Sequence, residues 1–225
     1  MSQTILVVAA HPDDEVLGMG GTIARHVIQG DRVHVLFLGD GVGARSGSET
    51  HLVEERCLAA QSALSVMGAQ PGRFLTFPDN RFDSVPLLEI IQAIEVVKRE
   101  LLPTMVYTHH GGDLNVDHQI ACQAVLTAFR PQPEEHCREI LSFEVASATE
   151  WASPRSTAPF LPETFVEITP HLAILEEACR CYGTELRADP HARSLEAILI
   201  GARKRGREVG VEAAEAFMTL RRILR

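Results

Sequence analysis

Basic charge and long apolar runs are the two most informative absences in this chain. Its 225 residues carry a formal net charge of −9, so bulk charge would repel nucleic acid and anionic membranes. A local arginine cluster could still bind an anionic substrate. No apolar run approaches the length of a transmembrane helix, and no signal-peptide pattern opens the chain. We therefore expect a cytoplasmic protein with no nucleic-acid partner and no membrane span.

Cysteine is present without a recognisable framework. The five cysteines are an odd number at irregular spacing, which argues against a disulfide scaffold. Cys179 and Cys181 form a Cys-x-Cys pair, but no second Cys or His pair follows at zinc-finger spacing. We therefore expect reduced thiols and no structural metal there. Repeats and low-complexity segments are also missing, and the length suits a single domain over residues 1–225.

Apolar strands and amphipathic helices alternate along the first part of the chain. The unbroken apolar run Thr4–Ala9 indicates a strand buried on both faces. The alternation is typical of right-handed βαβ units, so residues 1–146 predict an α/β fold with a Rossmann-like, mostly parallel sheet flanked by helices. The pattern changes at residue 147. Residues 147–225 predict a C-terminal helical extension packed on this core, with its last helix over residues 211–220.

Polar residues follow the first strand without a gap, in the order Ala10-His11-Pro12-Asp13-Asp14-Glu15. Ligands of open α/β sheets bind at this carboxyl edge. His11 and Asp14 are a ligand pair suited to a zinc-like divalent ion, which leaves Asp13 as a base. A loop whose acids only cap the next helix would need just one of these side chains. Three glycines within residues 18–21 then predict a sharp turn into a helix over residues 22–29.

Residues 10–15, together with these glycines, resemble the signature of the PIG-L (LmbE-like) family of zinc-dependent N-deacetylases. The stretch Asn115-Val116-Asp117-His118 resembles the later motif of that family and follows in the family's order. The resemblance implies that His11, Asp14 and His118 bind Zn²⁺, with other divalent ions tolerated by the Asp ligand. It implies Asp13 as the base for a metal-activated water. Asp117 would orient His11 or Asp13.

The later motif departs from part of the family. Some members have His and Tyr where this chain has Asn115 and Asp113. Asn115 can donate a hydrogen bond to an oxyanion, but it cannot shuttle a proton. The general acid therefore stays open between protonated Asp13 and three histidines, namely His109, His110 and His191.

Three further residues are candidates for substrate binding by resemblance. Arg56 resembles the family's pocket arginine, with a solvated helix charge as the alternative. Asp79 resembles the aspartate that binds sugar hydroxyls, with a turn former after Pro78 as the alternative. His191 lies in a C-terminal stretch that resembles a pattern of bacterial members.

Loop residues offer weaker signals. The only tryptophan, Trp151, would be a stacking platform for a sugar or a hydrophobic anchor for its own loop. Residues 42–49 are rich in glycine and serine and predict a mobile loop over the same sheet edge. Four loop arginines could meet a phosphate, namely Arg45, Arg81, Arg155 and Arg193.

These observations favour a metal-dependent hydrolase that removes an acetyl or small acyl group from the amine of a sugar. Its small-molecule substrate would be an N-acetyl amino sugar, a nucleotide-sugar or a glycosylated metabolite. One alternative is a hydratase acting on an unsaturated carboxylic acid, an activity known in the family, although Asp79 favours a sugar. Another is a non-catalytic ligand-binding member, against which Asp13 counts. The oligomeric state stays open, with a homo-oligomer among the options.

Overall fold

The computed structural model describes residues 2–44 and 50–224. Within them the chain forms seven strands, β1 (Thr4–Ala9), β2 (Arg32–Gly39), β3 (Arg73–Phe77), β4 (Met105–His109), β5 (Glu139–Phe143), β6 (Thr164–Glu167) and β7 (Ala214–Arg222). The helices are α1 (Asp14–Ile28), α2 (Thr50–Met67), α3 (Leu87–Leu101), α4 (Val116–Ala128), α5 (Leu172–Cys181) and α6 (Leu195–Glu208). Most of the predicted mobile loop, with Arg45, lies outside the described residues.

The strands form one mixed sheet in the order β3-β2-β1-β4-β5-β7-β6. β1 pairs in parallel with β2 on one side and with β4 on the other. The strand order therefore reverses between β1 and β4, and in open α/β sheets a crevice forms at such a reversal. The predicted α/β fold class is confirmed.

Helices on both faces bury nearly all of β1. Ile5, Val7 and Ala9 belong to the apolar core on one face, and Leu6, Val8 and Ala10 belong to the core on the other. All six residues have no exposed surface. This double burial explains why the first strand is an unbroken apolar run rather than an alternating one.

The predicted helix over residues 211–220 is wrong. These residues contain most of β7, which pairs in antiparallel fashion with β5 and β6. The segment is rich in alanine and glutamate, which favour a helix when the local sequence acts alone. Pairing on both edges and burial of Phe217 against Tyr107, with ring centroids 5.2 Å apart, override that preference.

The helix predicted over residues 22–29 begins earlier, at Asp14, and has a kink at Met19 (φ −159°, ψ 28°). The kink frees backbone amides in the middle of α1. Glu215 of β7 accepts hydrogen bonds from two of them, Gly21 N at 2.9 Å and Thr22 N at 2.6 Å. Gly21 is needed for close packing, because a Cβ there would lie 2.7 Å from Ile168 Cδ1.

Among residues 2–44 and 50–224, the structure contains no helix both long enough and apolar enough to span a bilayer. All five cysteines are free thiols.

The carboxylate of Glu215 is expected to stabilise the fold through the kinked helix. Glu215→Gln keeps the size but leaves one of the two buried amides without an acceptor, which should lower the free energy of unfolding by about 1–3 kcal/mol. Urea denaturation measures the loss at pH 8, where the carboxyl group of Glu215 is ionised. That pH is needed because burial raises the pKa of Glu215 to about 7. The exposed Glu212→Gln is the matched control and should change stability by less than about 0.5 kcal/mol. Equal losses in the two variants would contradict this role.

Candidate active site

The two sequence motifs meet at the crevice between β1 and β4. His11 and Asp14 follow β1, and His118 lies in the first turn of α4, after β4. One side-chain atom from each of these three residues lies within 4.8 Å of the other two, and all three residues are buried. The adjacent carboxyl ends of the two parallel strands bring the motifs together.

Carboxylates orient the ring of His11. Its Nε2 lies 2.9 Å from Asp117 Oδ2 and 3.2 Å from Asp79 Oδ1, while its Nδ1 lies 3.5 Å from Asp14 Oδ2. The carboxylate of Asp117 is itself fixed by the amides of Asn80 (2.6 Å) and Phe82 (2.9 Å). A proton on Nε2 thus has its acceptor, and Nδ1 is the ring nitrogen on the side of Asp14, where it would ligate a cation.

The ring of His118 lies between two aspartates without a well-formed hydrogen bond. Its Nδ1 is 3.3 Å from Asp113 Oδ2, and its Nε2 is 3.4 Å from Asp14 Oδ1. Neither nitrogen has a hydrogen-bond partner among the described residues. Asp113 is held by Thr149 Oγ1 at 2.6 Å and by Asn115 N at 2.8 Å. A buried, unpartnered imidazole nitrogen facing a carboxylate is an arrangement that a divalent cation would complete.

The electrostatics of the cluster also suit a cation. Burial opposes the charged form of His11, but Asp117 and Asp14 outweigh it and raise its pKa to about 10. The pKa of His118 rises to about 9 in the same way, through Asp14 and Asp113 against burial. The negative charge of the site therefore draws protons onto both rings. A bound metal would supply positive charge in their place.

His109 is the neutral member of the cluster. Burial lowers its pKa to about 3. Its Nε2 accepts a hydrogen bond from Ala10 N at 2.8 Å, and its ring stacks on His118 with centroids 3.9 Å apart. His109 therefore holds the end of β1 and the ring of His118 in place.

Asp13 lies beside the cluster in a strained conformation, with φ 124° and ψ −28°. It is the N-cap residue of α1, yet within the described residues its side chain makes no capping hydrogen bond. Its Oδ2 instead lies 3.0 Å from Arg193 Nη1 and 3.4 Å from Arg56 Nη1. Glu15 accepts the amide of Asp13 at 3.1 Å and the hydroxyl of Tyr182 at 2.6 Å. Capping therefore does not explain Asp13, and strain of this kind often marks a functional residue.

A polar pocket of about 170 Å³ opens above Asp13 and His11. Asn115 lies on its wall as the N-cap of α4. The Oδ1 of Asn115 accepts Asp117 N at 2.9 Å, and its Nδ2 faces Asn80 Oδ1 at 3.4 Å. The described lining is mostly polar and consists of His11, Asp13, Gly41, Ala44, Arg56, Asp79, Asn80, Asn115, Glu185 and Arg193.

The profile of the PIG-L family, described as GlcNAc-PI de-N-acetylase, matches residues 6–129 of this chain. The chain belongs to the PIG-L family. It is 30% identical over 169 residues to the uncharacterized deacetylase YaiS of Escherichia coli K12, covering 73% of this chain and 81% of YaiS. It is 32% identical over 155 residues to the 1D-myo-inositol 2-acetamido-2-deoxy-alpha-D-glucopyranoside deacetylase of Rhodococcus erythropolis, covering 56% of this chain and 52% of that enzyme.

Solved structures share the whole fold. The N,N'-diacetylchitobiose deacetylase of Pyrococcus horikoshii aligns with a TM-score of 0.78 at 19% identity, covering 98% of this chain and 84% of that one. GalB, the 4-carboxy-2-hydroxymuconate hydratase of Pseudomonas putida KT2440, aligns with a TM-score of 0.79 at 24% identity, covering 99% of this chain and 98% of GalB. At these identities the two structures establish a common fold and do not bear on the substrate of this chain.

Resemblance to the PIG-L family predicts three substrate-binding residues, and two of them line the pocket. Arg56 lines the pocket, with Nη1 donating to Pro12 O at 2.7 Å and Nη2 paired with Glu185. Asp79 also lines it, but its Oδ2 already accepts Ala44 N at 3.0 Å. His191 is not among the described residues that line the pocket. Its ring lies against exposed Trp151 at 5.6 Å, and its Nδ1 accepts the amide of Arg193.

Sequence reasoning missed three supporting residues of the site. In the sequence Asp113 stands out only as a departure from part of the family, although it faces His118. No motif marks Glu185, and Arg193 is one of several loop arginines, although both residues line the pocket. The two residues lie in the connection between α5 and α6, and no local pattern links them to the PIG-L motifs. His110, a candidate general acid, donates a hydrogen bond from Nε2 to Ala158 O at 2.8 Å.

The adjacent histidines His109 and His110 should differ in their contribution to stability. His109→Phe leaves the buried amide of Ala10 without its acceptor and should lower the free energy of unfolding by about 1–3 kcal/mol. His110→Phe removes one ordinary hydrogen bond and should cost about 0.5–1.5 kcal/mol. Urea denaturation of metal-free protein compares them. A larger loss in His110→Phe would contradict the role assigned to His109.

Proposed function

We propose that this PIG-L protein is a metal-dependent N-deacetylase that hydrolyses the acetamido group of an amino sugar. The observation that carries the proposal is the convergence of His11, Asp14 and His118 beside Asp13. Of these residues, His11 and Asp13 also line the polar pocket. The names of the relatives support the same reaction, because YaiS is called a deacetylase and the enzymes of Rhodococcus erythropolis and Pyrococcus horikoshii are named as deacetylases of acetylated amino sugars. Five free thiols suit the cytoplasm as its compartment.

His11, Asp14 and His118 are the residues that would hold the metal. Two imidazoles and one carboxylate are a donor set suited to Zn²⁺, and the oxygen ligand also admits other divalent ions. A divalent cation bound there supplies a Lewis acid that lowers the pKa of water and polarises the acyl oxygen. Asp117 and Asp113 would keep the two imidazole rings in the ligating orientation.

Asp13 is placed to move the proton in this reaction. It would accept a proton from the attacking water as the new C–O bond forms at the acyl carbon. It would then return that proton to the nitrogen as the C–N bond breaks, so that acetate and the free amine leave. None of the three candidate histidines, His109, His110 and His191, is among the described residues that line the pocket, which favours protonated Asp13 as the acid. Asn115 Nδ2 would donate to the oxyanion.

The pocket suits a hydroxylated substrate better than a dicarboxylic acid. Asp79, Asn80 and Asn115 offer acceptors and donors for sugar hydroxyls on the pocket wall. Both described arginines of the pocket already contact carboxylates, Arg56 at Glu185 and Arg193 at Asp13. A hydratase acting on an unsaturated dicarboxylate would need such cations for its substrate. An amino-sugar glycoside is therefore the preferred substrate class.

The metal site should bind one equivalent of Zn²⁺ per chain. His118→Ala should abolish tight binding, because it removes a ligand. Asp113→Asn should weaken binding by about 10–100-fold, because it disturbs the partner that orients His118. Titration calorimetry on chelator-treated protein measures both effects. The exposed His136→Ala is the control and should bind like the wild type, and unchanged affinity in His118→Ala would contradict the site.

Zinc-loaded protein should release acetate from at least one member of a panel of N-acetylglucosamine glycosides. A chelator should abolish the release, and Zn²⁺ should restore it. Asp13→Asn should lower kcat by about 100-fold or more while the protein still binds zinc, because it removes the proton acceptor. Hydration of unsaturated dicarboxylates is measured in parallel by loss of ultraviolet absorbance. Hydration without acetate release would contradict the deacetylase function and support the hydratase function instead.

A further inference from the structure

Arg193 lies outside the segment that matches the PIG-L profile, which ends at residue 129. It nevertheless reaches the catalytic pocket, where its Nη1 lies 3.0 Å from Asp13 Oδ2. Asp13 and Arg193 are 180 positions apart in the chain. A residue of the C-terminal segment therefore contacts the proposed base directly.

Asp13 needs a side-chain partner to hold its carboxylate. Its backbone is strained, its side chain caps nothing in the described part of the chain, and the residue is only 4% exposed. Arg193 and Arg56 both contact the same oxygen, Oδ2. The other oxygen, Oδ1, accepts no hydrogen bond from either arginine, which leaves it available for proton transfer. Because hydrogen bonds to an arginine are directional, the guanidinium limits rotation of the carboxylate.

Arg193 is itself held firmly. Its Nε donates to Ser147 Oγ at 2.6 Å, and its Nη1 also lies 4.0 Å from Glu185 Oε2. The next residue, Ser194, caps α6 by accepting Ala197 N at 3.0 Å. The side chain of Arg193 is 24% exposed, so solvent reaches only part of it. The position of the guanidinium is therefore determined by the fold before any substrate binds.

These contacts distinguish positioning of the base from recognition of a substrate anion. An arginine that binds a phosphate or carboxylate presents its paired N–H groups to the ligand. Here Nε and Nη1 of Arg193 are used by Ser147 and Asp13 within the protein. From the sequence, loop arginines could meet a phosphate. For Arg193 we favour contact with Asp13 instead.

We propose that Arg193 is a positioning residue that holds the Asp13 carboxylate in the orientation needed for proton transfer. This inference rests on the proposed function, in which Asp13 is the base. It also assigns a role to the connection between α5 and α6, because that segment must dock on the core for the site to be complete.

Kinetics of three variants test the proposal in the zinc-loaded enzyme. Arg193→Ala should lower kcat by about 10–100-fold, since a small misplacement of a reacting group is costly, while KM changes less than about threefold. Added guanidinium ion should restore part of kcat in Arg193→Ala but none in Asp13→Asn. Arg193→Lys should stay impaired, because an ammonium group cannot reach Ser147 and Asp13 together.

The exposed Arg187→Ala is the matched control, because it removes an arginine from the same connection. Its kcat and KM should equal those of the wild type. A raised KM with unchanged kcat in Arg193→Ala would overturn positioning in favour of substrate binding. Equal loss of activity in both variants, without rescue by guanidinium, would show a merely structural role.

A crystal structure of Arg193→Ala separates this inference from the proposed function. The Asp13 carboxylate should be displaced or disordered there and unchanged in Arg187→Ala. An unmoved carboxylate would overturn the positioning role, whatever the reaction. Failure of the wild type to release acetate would overturn the deacetylase function, and the position of Asp13 would still decide the role of Arg193.

Discussion

Burial of negative charge at one edge of the sheet is the constraint on which the site depends. Seven carboxylates lie buried around the ends of β1 and β4, namely Asp13, Asp14, Glu15, Asp79, Asp113, Asp117 and Glu185. A fold tolerates this only when each carboxylate has partners. Backbone amides hold Asp117, a hydroxyl and an amide hold Asp113, and arginines hold Asp13. The same pairing fixes the side chains in position before any ligand arrives, as the proposed reaction requires.

The departures from the family pattern also follow from this pairing. Asn115 uses its side-chain oxygen to cap α4, and that cap holds the amide next to His118. Asp113 faces Nδ1 of His118 and accepts Thr149, a residue that lies beyond the PIG-L profile. In this chain, therefore, supporting contacts of the proposed metal site come partly from the C-terminal segment. The division at residue 146 stays a prediction, although β6 and β7 of that segment belong to the same sheet as β1.

Local patterns determine much of this protein. The apolar run of β1, the polar residues that follow it and the alternation of strands and helices predict the parallel core and a ligand site at its carboxyl edge. His11, Asp14 and His118 could be selected because two short motifs resemble a family in its order. By contrast, β7 was predicted as a helix, because alanine and glutamate favour one until pairing with β5 and β6 is available.

The sequence by itself determined the α/β core, the family and the three residues proposed as metal ligands, because each is encoded by neighbours within a few positions. Only the tertiary structure decided that Arg193, rather than His191, reaches the pocket, and that Glu215 binds the amides freed by the kink in α1. The partners in these contacts are 180 and 194 positions apart. Such contacts form when distant segments pack around a common core, and no short stretch of sequence encodes that geometry.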